Sequence, residues 1–404
     1  MELQAKKLKA MVNHAYQKVP FYHRLYVEAG VDLNSITGTS SLSKLPIVTK
    51  QLLRDTPLKE RTSVDTDCGS SVARTTSGST GMPITTLQNP ATVSYRIALW
   101  LRKLWAYGVR PQHKAYISIP GRESSSLFSS VRGFSNFVGK RKLRSLSLAA
   151  DLHDNFRRIS TWKPDVLVAP PSYFRALIRF SEEATQLQPL KVAVTMGEAL
   201  DNSTRKLIEE TFQTEAFVSY GLGEVGGVAW ECPTHSGYHI NIDSLVVEFL
   251  RDREGLTDAH SGELCVTNLY NEATPVIRYR TGDIATLLDD DCACGRRLPL
   301  MKNIEGRILD FIQTSDGRYI SPYTLMHTLE GVSGIAQYKV TQRKDYSVVV
   351  LVQVADAEVE PVLQLIQHRC RQLLGDTPLF IKRVDGTENL AVSKFRVVES
   401  QLNR

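Results

Sequence analysis

The sequence predicts an α/β protein with a large N-terminal domain, which includes a β-rich subdomain, and a small α+β C-terminal domain. Three observations lead to this prediction. The chain has 404 residues, which is more than one hydrophobic core usually serves. Short β-rich segments alternate with helical segments up to about residue 230, and a separate strand–helix–strand pattern begins after residue 306. We therefore divide the chain into residues 1–306 and 307–404, with the boundary near Arg307.

The N-terminal segment is predicted to be helical. Residues 1–60 contain helices joined by turns, and Pro20 and Pro46 interrupt them. The first helix is amphipathic and lacks the apolar core of a signal peptide. No apolar run approaches the roughly 20 residues that a membrane helix needs. These features predict a cytoplasmic protein without membrane association.

The middle of the chain alternates between strand-like and helical segments. The predicted strands are residues 114–120, 165–171, 191–197 and 215–221. Between them, residues 143–162 and 172–187 have apolar side chains at helical spacing. This alternation predicts a sheet with helices on its faces.

Two later regions complete the predicted fold. Strand-like runs at short spacing predict the β-rich subdomain, at residues 239–250, 262–269 and 276–288. The C-terminal pattern consists of strands at 337–344 and 346–355, an amphipathic helix at 358–374 and a strand at 379–384. Together these last elements predict a compact α+β unit.

Charge and cysteine content exclude several classes of protein. The net charge is +6, and basic residues are spread along the whole chain. Their richest stretch, residues 132–144, is interpreted as a solvated loop or an anion-facing surface in preference to a nucleic-acid patch. Six cysteines in a chain without a secretory signal argue against a disulfide framework. We therefore predict no nucleic-acid partner.

The strongest local motif is the run TTSGSTGMP at residues 75–83. Glycines let a backbone turn its N–H groups inward, and consecutive hydroxyls add donors, so this loop suits a polyphosphate. It is not a Walker loop, because no Gly-Lys-Ser/Thr follows. From composition alone, a flexible linker is an equal alternative.

This loop resembles the phosphate loop of the adenylate-forming superfamily of acyl-CoA synthetases, adenylation domains and luciferases. Four further motifs match in the same order, at residues 220–224 (YGLGE), 279–283 (YRTGD), 306–307 (GR) and 393–396 (SKFR). The flanking segments, among them VPFYHRLYVEAGVD and TPVIRYRTGD, are similar to the phenylacetate–CoA ligase-like branch. The end of the chain is most similar to capsule-biosynthesis and deazaflavin-cofactor synthetases. The resemblance runs from about residue 5 to the end, and it implies that the C-terminal domain is mobile.

The resemblance implies a role for each motif. The phosphate-binding residues would be Thr76, Ser77, Gly78, Ser79, Thr80 and Gly81. Glu224 would hold Mg²⁺, and Lys394 would bridge the substrate carboxylate and the α-phosphate as the second catalytic residue. Tyr220 would face adenine, and Asp283 and Arg307 would bind the ribose. Further nucleotide-binding residues would be Gly197, Glu198, Ser219 and Gly221.

Each residue also has a simpler interpretation when taken alone, since Asp283 could be a turn residue, Glu224 a solvated carboxylate and Lys394 a surface lysine. The chain also departs from the family. Met82 stands where a lysine is frequent, Gly223 and Ser393 replace the usual Ser/Thr and Gly, and Leu309 occupies a hinge position that is often acidic. These departures motivate one alternative, a degenerate protein that binds a nucleotide or acyl-adenylate without turnover.

A second set of residues has the chemistry of metal ligands. Cys232, His235 and His239 are followed later in the chain by Cys292 and Cys294. Thiolates and imidazole in such pairs suit tetrahedral zinc. The family resemblance favours His239, which precedes an isoleucine, and leaves His235 as the alternative ligand. A closed four-ligand site would be structural, and the alternative is a set of reduced, unligated cysteines.

The function predicted from these motifs is ATP-dependent activation of a carboxylic acid, with an aryl or arylacetic acid favoured over a medium-chain acid. Coenzyme A is the leading acyl acceptor. Two enzymatic alternatives share the use of ATP: transfer of the acyl group to an amine or hydroxyl, and transfer of AMP itself to a hydroxyl. Relatives are often dimers, so a homodimer is kept as an assembly to test.

Overall fold

The computed structural model describes residues 2–76, 84–110, 112–119, 143–148, 150–184, 187–198, 200, 202–251, 260–289, 291–302, 312–320, 324–325, 328–329, 332–354, 359–384 and 398–402. The N-terminal helices are α1 (Glu2–Lys18), α2 (Pro20–Glu28), α3 (Lys50–Asp55) and α4 (Leu58–Arg61), with short 3-10 turns at Leu33–Ser35 and Thr39–Lys44. Among the described residues, no helix is long and apolar enough to cross a membrane.

The N-terminal helices pack against the later strands of the large domain. Leu8, Met11 and Val12 of α1 are buried in a cluster with apolar residues of the later strands. The Tyr22 hydroxyl accepts a hydrogen bond of 2.8 Å from the backbone N–H of Ile277. Val48 forms a parallel bridge with Tyr279, so the N-terminal segment supports the start of the YRTGD motif directly.

Most strands of the large domain belong to one sheet. A separate hairpin consists of β1 (Val72–Thr75) and β2 (Thr85–Gln88). The remaining strands are β3 (Ala115–Ile119), β4 (Leu143–Ser147), β5 (Val166–Ala169), β6 (Val192–Met196), β7 (Ala216–Leu222), β8 (Gly226–Glu231), β9 (Tyr238–Ile240), β10 (Leu245–Leu250), β11 (Ser261–Asn268), β12 (Tyr279–Leu288) and β13 (Leu300–Met301). Their order is β10-β11-β12-β13-β9-β8-β7-β6-β5-β3-β4. The strands β4, β3, β5, β6 and β7 are mutually parallel, and the others pair antiparallel.

Helices cover both faces of the parallel part of the sheet. The helices are α5 (Pro90–Ala106), α6 (Leu152–Trp162), α7 (Pro171–Ala184) and α8 (Asn202–Phe212). Val166 and Val168 of β5 lie in one buried cluster with Leu104 of α5. Leu167, which alternates with them, lies in another cluster with residues of α6, α7 and α8. Burial on both faces explains why these strands consist of nearly continuous apolar residues.

The C-terminal part forms its own small sheet. Its elements are β14 (Ile312–Gln313), β15 (Tyr319–Ile320), β16 (Ile335–Gln342), β17 (Val348–Val354), α9 (Val359–Leu374), β18 (Leu379–Arg383) and β19 (Val398–Ser400). Four of these strands form one sheet in the order β18-β17-β16-β19. Buried residues of α9 share a cluster with Val340 of β16 and Val350 of β17. The Thr324 hydroxyl donates a hydrogen bond of 2.6 Å to the carbonyl of Leu148, in the large domain. The predicted boundary near Arg307 lies outside the described residues.

The architecture confirms the predicted fold class and corrects one predicted element. Residues 143–147, predicted as the start of a helix, form β4, because they pair in parallel with Ala115–Ile119 of β3. The predicted β-rich subdomain consists of strands, as expected. Its strands continue the parallel sheet through β8, β9 and β13, so that one hydrogen-bonded order connects both regions.

Candidate active site

The YGLGE motif lies where the sheet changes from parallel to antiparallel. Tyr220 and Gly221 are in β7, Glu224 lies in the turn that follows, and β8 returns antiparallel from Gly226. On the other side of β7, Met196 pairs with Ser219, so Gly197 and Glu198 follow β6 beside this hairpin. Ligand sites of α/β sheets form at the carboxyl ends of parallel strands, and the predicted nucleotide residues lie at that edge.

Tyr220 and Asp283 are brought into direct contact. The Tyr220 hydroxyl donates a hydrogen bond of 2.7 Å to Oδ2 of Asp283, and the backbone N–H of Asp283 donates to the Thr281 hydroxyl at 3.0 Å. Burial raises the pKa of Tyr220 well above its usual range, and the neighbouring Asp283 carboxylate raises it further. Tyr220 is therefore a neutral donor that orients the carboxylate predicted to bind the ribose.

Glu224 is a buried carboxylate with only 6% of its surface exposed. The hydroxyl of Tyr279, the first residue of the YRTGD motif, donates to Oε1 of Glu224 at 3.0 Å. Two motifs that are distant in the sequence thus share this part of the site, since one end of the YRTGD motif contacts Glu224 and the other contacts Tyr220. A buried carboxylate oxygen is a ligand type that Mg²⁺ prefers.

The start of the phosphate loop packs against the same hairpin. The Thr76 hydroxyl accepts a hydrogen bond of 2.9 Å from the backbone N–H of Ile84, and the Thr76 N–H donates to the Ile84 carbonyl at 2.9 Å. These two bonds close the loop at its base. A Cβ atom at Gly223 would lie 2.6 Å from Cγ2 of Thr76. The glycine at position 223 therefore permits the close approach of Thr76, which explains this departure from the family.

The structure adds a residue that the sequence did not indicate. Lys103 of α5 is 7% exposed, and its Nζ donates a hydrogen bond to the Ser219 hydroxyl, next to Tyr220. Burial lowers the pKa of Lys103 to about 7. In the sequence, Lys103 is a lysine between Leu101 and Leu104 in an apolar helix. A long side chain that reaches solvent explains this pattern as well as a buried functional lysine does.

Several predicted site residues lie outside the described part of the chain: Ser77, Gly78, Ser79, Thr80, Gly81, Arg307 and Lys394. The departures Met82, Ser393 and Leu309 lie there as well. The residues brought together in the described part are Thr76, Ser219, Tyr220, Gly221, Glu224 and Asp283, with Gly197 and Glu198 on the adjacent strand end.

A second cluster contains the predicted metal ligands. One ligand atom from each of Cys232, His239, Cys292 and Cys294 lies within 4.8 Å of all the others. The separation between the sulfurs of Cys232 and Cys292 is 3.2 Å, and that between His239 Nε2 and Cys294 Sγ is 3.2 Å. His239 Nδ1 lies 3.2 Å from the carbonyl of Leu298, an orientation that leaves Nε2 facing the sulfurs.

Backbone N–H groups and Arg296 surround the sulfurs of this cluster. The backbone N–H groups of Thr234 and Cys294 point at the sulfurs of Cys232 and Cys292, at 3.4 and 3.5 Å. Burial alone would raise the pKa of Cys294, but hydrogen bonds with Arg296, Cys292 and Cys232 together hold that pKa below its usual range. Burial raises the pKa of Cys232 to about 11, so the two sulfurs differ in how readily they lose a proton. His235 is directed elsewhere, because its Nδ1 lies 2.9 Å from Oε1 of Glu231 and its ring stacks on Phe217.

Comparison with solved structures places the fold. No family model matches the chain. A structure of 2-hydroxyisobutyryl-CoA ligase in complex with 2-HIB-AMP and CoA matches with a TM-score of 0.69 at 19% identity, over 99% of this chain and 89% of that one. A structure of the same ligase in the postadenylation state matches with a TM-score of 0.65, over 98% and 88% of the two chains. The fold is that of the adenylate-forming ligases.

Sequence comparison identifies the family within this class. Phenylacetate-coenzyme A ligase of Escherichia coli (strain K12) is 32% identical over 325 residues, which cover 77% of this chain and 71% of the relative. The Thermus thermophilus enzyme of the same name is 30% identical over 332 residues with the same coverage. The chain belongs to the phenylacetate–coenzyme A ligase family. It is also similar to Protein CapK of Staphylococcus aureus, at 22% identity over 94% of this chain and 84% of that protein.

These findings confirm two predictions made from the motifs. The resemblance to the phenylacetate–CoA ligase branch of the adenylate-forming superfamily is confirmed by the identity and coverage of the relatives. The prediction that the protein is an enzyme of the AMP-forming acid–thiol ligase type is confirmed at the level of the family.

Proposed function

We propose that this protein uses ATP to activate a carboxylic acid as an acyl-adenylate, with release of pyrophosphate, and then transfers the acyl group to coenzyme A. The observation that carries this proposal is the convergence of Thr76, Tyr220, Glu224 and Asp283 at one edge of the sheet. The names of the relatives support the overall reaction, and the solved ligase of the same fold was captured with an acyl-AMP and CoA.

The site residues suit the adenylation step. Attack of a carboxylate on the α-phosphate requires both partners to be held in line and their negative charge to be offset. The Tyr220 ring would lie against adenine, and Asp283, oriented by the Tyr220 hydroxyl, would accept hydrogen bonds from the ribose. Glu224, held by Tyr279, fits Mg²⁺, which would supply positive charge to the phosphates. On sequence grounds, Lys394 and Arg307 remain part of the proposed site.

An aryl or arylacetic acid is the proposed substrate class, because the relatives are named for phenylacetate. Coenzyme A is the proposed acceptor on the same basis. The cytoplasmic location belongs to this proposal as well, since ATP and coenzyme A are the proposed substrates. The mobile C-terminal domain, with its boundary near Arg307, is proposed from the family resemblance and would deliver Lys394 for adenylation.

The direct test is acid-dependent exchange between ATP and radiolabelled pyrophosphate, over a panel of aryl, arylacetic and aliphatic acids. Exchange with some acids and not others is expected, and it would identify the substrate class. Addition of coenzyme A should then convert the acyl-adenylate to a thioester. Exchange without thioester formation would redirect the second step to an amine or hydroxyl acceptor. No exchange with any acid, from folded protein, would contradict acid activation.

We also propose that Cys232, His239, Cys292 and Cys294 hold a structural zinc ion. Three sulfurs and one imidazole nitrogen are a complete tetrahedral donor set, and all four atoms are close enough to share one ion. The cluster connects the β8–β9 hairpin to the segment between β12 and β13. Next to it, Leu300 of β13 pairs with His239 of β9. Bound zinc would therefore brace the antiparallel part of the sheet, and four protein ligands would leave no position for a substrate.

Metal analysis tests the zinc proposal. The variant Cys292→Ser with Cys294→Ser should lose bound zinc and unfold at a lower temperature, whereas Cys68→Ser, which changes an exposed cysteine, should retain both properties. Equal zinc content in the double variant and the wild type would contradict the assignment of these ligands.

A further inference from the structure

An arginine just before the phosphate loop has a buried side-chain nitrogen without a hydrogen-bond partner. Arg74 is in β1, two residues before Thr76, and Thr86 of β2 stands directly opposite it. Nε of Arg74 and the hydroxyl of Thr86 are both buried and have no hydrogen-bond partner in the described part of the chain. Buried donors without partners are costly, and they are frequently completed by a ligand or a water molecule.

A second arginine reaches the same region from helix α5. A Cβ atom at Gly226 would lie 3.3 Å from both Nε and Cζ of Arg96, and 2.6 Å from the hydroxyl of Tyr270. That hydroxyl donates to the carbonyl of Val225 at 2.9 Å, which fixes the tyrosine beside the turn. Gly226, at the start of β8 and two residues after Glu224, therefore makes room for the guanidinium of Arg96.

The two guanidinium groups interact with each other unfavourably. Burial lowers the pKa of Arg74 to about 10, and the positive charge of Arg96 contributes to the same shift. Within the described residues, neither arginine has a carboxylate partner. The nearby acidic residues of the site already have donors, because Glu224 accepts from Tyr279 and Asp283 accepts from Tyr220. The pair therefore has an excess of positive charge that an anion would offset.

We propose that Arg74 and Arg96 bind the terminal phosphates of ATP and retain the pyrophosphate that adenylation releases. This inference rests on the proposed function. Guanidinium groups match phosphate oxygens in pairs of hydrogen bonds, so a phosphate suits this pair. Arg74 lies two residues before Thr76, and in the loop sequence that follows Thr76 a methionine, Met82, stands where related loops often carry a lysine. Arg74 and Arg96 thus supply, from outside the loop, the positive charge that Met82 does not.

Direct binding of inorganic pyrophosphate and of AMP, by calorimetry on the full-length protein, tests this proposal. Arg96→Gln should weaken pyrophosphate binding about 10- to 100-fold, because one charge-assisted contact is lost, and should leave AMP binding unchanged. Arg96→Lys should keep part of the affinity, since the charge remains but the paired geometry does not. Arg157→Gln, on the exposed surface of α6, is the matched control and should behave as wild type.

Thermal unfolding adds a measurement that a structural role would not reproduce. Without ligand, Arg96→Gln should unfold no earlier than the wild type, because it relieves repulsion with Arg74. At a fixed pyrophosphate concentration, the wild type and the control should be stabilised equally, and Arg96→Gln should be stabilised less. Unchanged pyrophosphate affinity in Arg96→Gln would overturn the proposal, and so would a changed KM for the acid with an unchanged KM for ATP.

Failure of this proposal is distinguishable from failure of the proposed function. If the wild type shows acid-dependent exchange and Arg96→Gln keeps its KM for ATP, the inference about the arginines is wrong and the function stands. If pyrophosphate binding depends on Arg96 but no acid supports exchange, the arginine site stands and the acid-activating function is wrong.

Discussion

The buried amino group of Lys103 makes the stability of this protein depend on pH in a way that one substitution should remove. Burial lowers the pKa of Lys103 from 10.5 to about 7, and its described hydrogen-bond partner is the neutral hydroxyl of Ser219. Between these two pH values the unfolded chain binds a proton at this side chain that the folded protein does not. Folding stability should therefore rise as the pH increases through this window.

The size of the effect follows from the same shift. The difference between 10.5 and about 7 corresponds to an upper limit of about 5 kcal/mol, and the slope within the window to at most about 1.4 kcal/mol per pH unit. Lys103→Met keeps most of the buried volume and removes the ionisable group. The variant should lose this slope. The unfolding free energy of Lys103→Met minus that of the wild type should therefore decrease as the pH rises from 7.

Urea unfolding of both proteins at several pH values between 7 and 9.5, under reducing conditions, measures this difference. Other titrating groups contribute equally to both proteins and cancel. Lys206→Met is the matched control, because Lys206 is on the exposed surface of α8 and its side chain is 74% exposed. Parallel pH dependences for wild type and Lys103→Met would refute the assignment of Lys103 as a buried, proton-releasing lysine.

Two further predictions concern the site. Lys394→Ala should reduce acid-dependent ATP–pyrophosphate exchange by on the order of 100-fold or more while ATP binding is retained, because the bridging charge acts in the transition state. Exchange at the wild-type rate would contradict the assigned role. Gly223→Thr should raise the KM for ATP about tenfold or more, since its Cβ would lie 2.6 Å from Cγ2 of Thr76. Adding Thr76→Ser removes that methyl group and should restore part of the affinity, and an unchanged KM in the single variant would disprove the close packing.

The sequence predicted those parts of the fold that depend on local pattern. The β-rich runs at residues 165–171, 191–197 and 215–221 became β5, β6 and β7, because continuous apolar runs bounded by turns favour buried strands. Residues 143–147 were predicted as helix and form β4. Their identity as a strand depends on pairing with β3, a contact that no periodicity within the segment records.

In the candidate site, too, the sequence predicted some features and only the contacts between distant segments revealed others. The family resemblance singled out Tyr220, Glu224 and Asp283 as the predicted adenine, Mg²⁺ and ribose residues. That Tyr279 holds Glu224, and that Tyr220 orients Asp283, appears only when β7 and β12 are brought together. Likewise, the cysteines and histidines indicated a metal site, and the family resemblance already favoured His239 over His235. The β8–β9 hairpin adds the contact that directs His235 to Glu231 and brings His239 to the cysteines.

By itself, then, the sequence determined the α/β class, the family motifs and the types of ligand that each motif suits. The tertiary structure decided which of the remaining residues join the site. Lys103, Arg74 and Arg96 belong to no motif, and helix α5 is what brings Lys103 beside Ser219 of β7 and Arg96 beside Gly226 of β8. The physical reason is that burial and unpaired charge are properties of contacts between distant segments, and local residue pattern does not encode those contacts.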